Sequence, residues 1–74
     1  MIEEYLRQKG FEPHYISILK EFLIEIKEAL DENVSNYDLD EIINSIIEYF
    51  AITYKLQKTD LYQLVNDAIQ DGVV

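Results

Sequence analysis

Residues 38–57, DLDEIINSIIEYFAITYKLQ, leave a helix almost no dry-to-wet boundary. At about 100° per residue, Leu39, Ile42, Ile43 and Phe50 fall within about 60° of Ile46. Tyr49, Ile47, Tyr54 and Leu56 widen that stripe on both sides, and Ile52 lies further round. Only a strip through Asn44, Glu48 and Lys55 stays polar. A helix apolar over most of its circumference has to be covered from several directions. The expectation is a small all-α four-helix bundle built around this third helix, with Ile46 at its centre.

The segments available to cover it are short. With 74 residues the chain reads as a single helical domain over 1–74. A chain of this size hides only roughly 60% of its unfolded surface, so its core is thin. It has no cysteine to staple it. The remaining means are dense helix packing or self-association, and 49% hydrophobic residues permit either while excluding a disordered acidic tail.

The flanking elements carry clear punctuation. Residues 2–9, IEEYLRQK, read as a short helix with Glu3 and Glu4 at its positive end and Gly10 as a left-handed stop. Phe11 can fold back on Leu6, and Pro13 pre-sets the first turn of a second helix ending near Asp31. On that second helix Tyr15, Ile16, Leu19, Phe22, Leu23, Ile26 and Leu30 share a face, while Ile24 points away. Asp38 is the expected N-cap of the third helix, with Glu41 completing a capping box and Tyr37 stapling onto Ile42. Residues 13–57 then form an antiparallel helical hairpin. Thr59 is the expected cap of a fourth helix whose inner face is Leu61, Leu64, Val65, Ala68 and Ile69, with Gly72 as its stop.

The inventory for chemistry is small. Asp31, Asn33 and Ser35 match positions 1, 3 and 5 of a calcium loop, but Asn36 stands where glycine is needed and Ile42 where a bidentate glutamate is needed. A metal centre in a helical bundle would use a glutamate three residues before a histidine. The one histidine, His14, has none. One histidine, two serines and no cysteine do not furnish a nucleophile, base and orienting group. No cofactor, no metal and no enzymatic activity are expected.

Fifteen acidic against six basic side chains give a net charge of −9, which disfavours direct contact with nucleic acid or an anionic membrane. No apolar run approaches a membrane span, and MIEEYLRQKG lacks the pattern of a signal peptide, so a cytoplasmic protein is expected. The charge is also unevenly distributed. From Glu25 to Glu41 seven carboxylates (Glu25, Glu28, Asp31, Glu32, Asp38, Asp40, Glu41) face one base, Lys27. The chain also carries six tyrosines (Tyr5, Tyr15, Tyr37, Tyr49, Tyr54 and Tyr62), and tyrosine beside acid is a common recognition surface. Tyr15 and Tyr49 are expected in the core instead, with their hydroxyls at its edge.

The size, helicity and acidity are similar to those of bacteriocin immunity proteins and phage-encoded inhibitors. Ile47-Glu48-Tyr49-Phe50 followed by Thr59-Asp60-Leu61-Tyr62 resembles the nuclease-colicin immunity proteins over those eight residues. The paired tyrosines and proline that come next in those proteins are replaced here by Gln63-Leu64-Val65. The functional expectation is an inhibitor or regulator that binds a basic surface of a partner protein. The acidic residues Glu25, Glu28, Asp31, Glu32 and Asp40, with Tyr37, would form the contact. The alternative is a structural homo-oligomer with no separate ligand. Under either reading a homodimer is expected, joined through the surplus apolar residues Ile47, Ile52, Tyr54 and Leu56.

Overall fold

The computed structural model describes residues 1–74 and contains four helices and no strand: α1 (Ile2–Gln8), α2 (Pro13–Leu30), α3 (Asn36–Tyr54) and α4 (Lys58–Gln70). Each helix packs on the one before it in sequence. The fold is the expected all-α four-helix bundle. Its Cα envelope measures 35 × 26 × 16 Å. The thin dimension matches two helix layers with axes about 10 Å apart.

Local chemistry explains most of the boundaries. Gly10 takes φ +89°, and the Phe11 and Gly10 amides donate to the Leu6 and Arg7 carbonyls at 3.3 and 3.0 Å. That is a complete Schellman ending, and Phe11 packs on the core. Gly72 closes α4 in the same way at φ +73°, with Val73 and Gly72 donating to Ala68 and Ile69. Val73 and Val74 then lie against the core. Lys55 closes α3 at φ 57°, ψ 47°, and Leu56 donates to Ala51 at 3.0 Å. A lysine holds here the left-handed conformation that glycine adopts without a Cβ penalty.

Two starts differ from expectation. α3 begins at Asn36, because Ser35 is the N-cap: its Oγ accepts from the Asp38 amide at 3.2 Å. Ser35 and Asp38 are both competent caps, and starting at Ser35 gains almost a full turn of helix. Asp38 instead sits in the first turn, where the dipole favours its charge. α4 begins after Gln57, not Thr59, and its cap has no side-chain bond; the Gln57 carbonyl takes both the Asp60 and Leu61 amides.

The centre of the core also differs. α2 supplies six buried residues (Ile16, Leu19, Phe22, Leu23, Ile26, Ala29), α4 four (Leu61, Leu64, Val65, Ala68) and α3 only three (Ile47, Phe50, Ala51). The bundle is therefore organised on α2, not on the third helix. Ile47 is fully buried and Ile46 only half-buried, so the inward face of α3 is turned by about one residue from the expected one. Phe50 fixes that orientation, meeting Phe22 edge-on at 5.2 Å between ring centroids. No polar or charged residue is buried.

The ring of helices is closed by polar contacts. Tyr5 donates its hydroxyl to Asp71 at 2.7 Å and Lys9 pairs with Asp67 at 3.1 Å, joining α1 to the end of α4. On the other side of α4, Tyr62 donates to Asn44 at 2.6 Å and Lys58 pairs with Glu48 at 2.8 Å.

Candidate functional site

The turn from α2 into α3, residues 31–35, brings the predicted acidic residues to one end of the bundle. Glu28, Asp31, Glu32 and Asp40 are exposed, Tyr37 is 72% exposed, and Glu25 is half-buried on the side of α2. Four ion pairs exist, Arg7–Glu3, Lys9–Asp67, Lys20–Glu3 and Lys58–Glu48, and the His14 ring lies 3.8 Å from the Glu12 carboxylate. None of the seven carboxylates between Glu25 and Glu41 takes part. Four of the six basic side chains are engaged with acids elsewhere, so the charge of this pole stands uncompensated toward solvent.

The electrostatic consequences fall on the paired groups. Lys20, and Arg7 beside it, hold Glu3 below the ordinary carboxylate range. Lys58 lowers Glu48 and is itself raised by it. Asp67 is lowered by the Gln63 amide and by Lys9, and Lys9 is raised by Asp67. Tyr5 is raised by loss of hydration and by the Asp71 carboxylate that accepts its hydrogen bond.

The four residues expected to mediate self-association do not form one surface. Ile47 is fully buried, and Leu56 packs on the core as the residue that follows the left-handed Lys55. Only Ile52, 70% exposed, and Tyr54 at the edge of exposure remain. Tyr15 and Tyr49 were expected in the core, but the rotation of α3 turns Tyr49 out to 59% exposure, and Tyr15 is 37% exposed. An apolar arc of α3 centred on Ile46 would put Tyr49 inside. Centring it on Ile47 puts Tyr49 about 160° from the core direction.

Two clefts are notable. A charged groove of about 370 Å³ runs between α1 and α2, lined by Glu3, Arg7, Lys20 and Ile24, which is the exposed isoleucine of α2. At the end of the molecule opposite the acidic turn, a mainly apolar cleft of about 330 Å³ lies among Phe11, Tyr15, Leu19, Leu56, Leu61 and Leu64. No three histidine or carboxylate side chains are grouped to hold a metal ion. No helix is long and apolar enough to cross a membrane. Neither a protein family, nor a known protein, nor a solved structure matches this chain.

Proposed function

We propose that this chain is a non-enzymatic, cytoplasmic protein that binds another protein through a basic surface of that partner, acting as its inhibitor or regulator. The observation that carries the reading is the acidic pole at the α2–α3 turn. Apart from the half-buried Glu25 its carboxylates are exposed, and none is ion-paired. Their position also works against α2. Glu28, Asp31 and Glu32 stand at the C-terminal end of that helix, where the dipole disfavours negative charge, with Lys27 the one base in its last turn. Local stability does not account for acids placed there, which supports a role in recognition. Such a pole raises the association rate with a basic partner and repels nucleic acid and anionic lipid.

Co-purification from the native cell, comparing wild type with the quadruple variant Glu28→Lys, Asp31→Lys, Glu32→Lys, Asp40→Lys, tests this. Single exposed pairs contribute only about 0–1 kcal/mol, so four are changed together. The wild type should retain a partner that is released as salt rises. The quadruple variant should associate with it at least tenfold more slowly while keeping its helicity. Association at the wild-type rate would reduce the pole to a solubilising surface.

A further inference from the structure

Apart from Met1 at the chain start, the three most exposed large apolar side chains are Tyr37 (72%), Ile52 (70%) and Tyr49 (59%). All three belong to α3, and at about 100° per residue they fall within about 120° of one another on its outer side. They run along about 22 Å of helix. Glu41, Ser45 and Glu48 lie in the same sector, and Glu41, Ser45, Glu48 and Tyr49 line an open hollow of about 530 Å³. All three side chains stay outside the core, and exposed apolar side chains gathered on one face and rimmed by polar residues mark interaction sites. Tyrosine is among the residues that dominate binding energy at protein interfaces.

We infer that this outer face of α3 is the docking surface for the same partner, and that it receives an arginine set beside apolar side chains. The inference rests on the proposed function and extends its site from the acidic turn along the helix. Charge selects the occupant. Glu41 has no basic partner within this chain, and Lys58 approaches Glu48 from the α4 side, leaving the hollow without a cation of its own. A guanidinium entering it meets the Glu41 carboxylate and the Tyr49 side chain, and a carboxylate beside an aromatic ring favours arginine over lysine. A second copy of this chain fits poorly. Antiparallel pairing about the middle of the face sets Glu41 near Glu48 of the copy, and parallel pairing sets Glu41 on Glu41, with −9 on each chain.

The two parts of the surface divide the kinetics. The acidic turn governs arrival, and the tyrosines and Ile52 govern departure.

The test places the photo-crosslinker p-benzoylphenylalanine at Ser45 of the full chain and irradiates it in the native cell, with the same group at Ser17, on α2, as control. The expected result is an adduct with a different protein from Ser45 only. Mass spectrometry of the adduct should find arginine next to apolar residues in the partner peptide. Tyr49→Ala with Ile52→Ala should abolish it in a chain that keeps its far-ultraviolet circular dichroism. With that partner purified, Tyr49→Ala should raise the dissociation rate about 30-fold and change association less than twofold. An adduct of the chain with itself, no adduct at Ser45, or one unchanged by the double substitution overturns the inference. If a crosslinker at Glu28 still captures a basic protein in those cases, the acidic-pole reading stands and only the α3 docking face falls.

Discussion

Replacing Ile47 by alanine is expected to destabilise this protein far more than replacing Ile46, although the two are neighbours of the same type. Ile47 is fully buried in the thirteen-residue core cluster, whereas Ile46 is half-buried at its margin. Removing three carbons from Ile47 forfeits about 2.4 kcal/mol of transfer free energy at about 0.8 kcal/mol per carbon. The cavity left between Phe50, Ala51 and the other helices adds to that, for a total of about 3–4 kcal/mol. At Ile46 part of the side chain already meets water and solvent can fill the space, so about 1–1.5 kcal/mol is expected. The difference of about 2 kcal/mol corresponds to a melting-temperature gap on the order of 10 °C in a domain of this size. Urea unfolding followed by circular dichroism at 222 nm measures both, with an unchanged m-value for Ile46→Ala. Equal losses, or a larger loss at Ile46, would mean that α3 presents a different face to α2, and the exposure of Tyr49 would fall with it.

Three further outcomes follow from the caps and charges. Ser35→Ala should cost about 1 kcal/mol in thermal unfolding, because the Asp38 amide loses its acceptor, and Asp38→Ala should cost less, since its side chain caps nothing. Lys55→Gly should stabilise by up to about 1 kcal/mol by removing the left-handed Cβ penalty, whereas Gly72→Ala should destabilise through the same penalty although no atom lies in the way. Glu3, Glu48 and Asp67 have folded values below their unfolded ones, so their contribution is full above the ordinary carboxylate range and is lost as pH falls through the lowered values. Lys9, Lys58 and Tyr5 have raised values, so theirs is full below about pH 10 and is lost above it. A pH series of melting temperatures should therefore show a plateau from about pH 5 to 9 with falls on both sides.

The helix count and most helix ends were legible because they depend on residues with one dominant use. Gly10, Pro13 and Gly72 each have a backbone role that few other residues fill, and all three occupy it. The α3 start was harder, since Ser35 and Asp38 are both good caps and only the gain of an extra turn separates them. The left-handed Lys55 has no signature in sequence. The direction of α3 was ambiguous for the same reason that the helix attracted notice. When most of the circumference is apolar, its inward direction is poorly defined, and contacts such as Phe22 with Phe50 settle it. That rotation hid Tyr49 from the candidate site and placed Ile47 wrongly within a self-association surface. The acidic turn was readable because charge clustered in sequence across a short helix connection stays clustered in space.

The order in which the helices pack has a kinetic meaning. Because α1 meets α2, α2 meets α3 and α3 meets α4, nearly all of the structure can form between segments already close along the chain. Low contact order of this kind goes with folding in microseconds to milliseconds. The exception is the clasp of Tyr5 on Asp71 and Lys9 on Asp67, which spans 66 and 58 residues. The loop it closes is nearly the whole chain, and the bonds that close it are exposed. The clasp between α1 and α4 is thus the contact expected to form last and open first, and the amides of α1, seven residues long with one buried side chain, should exchange with solvent ahead of those in α2.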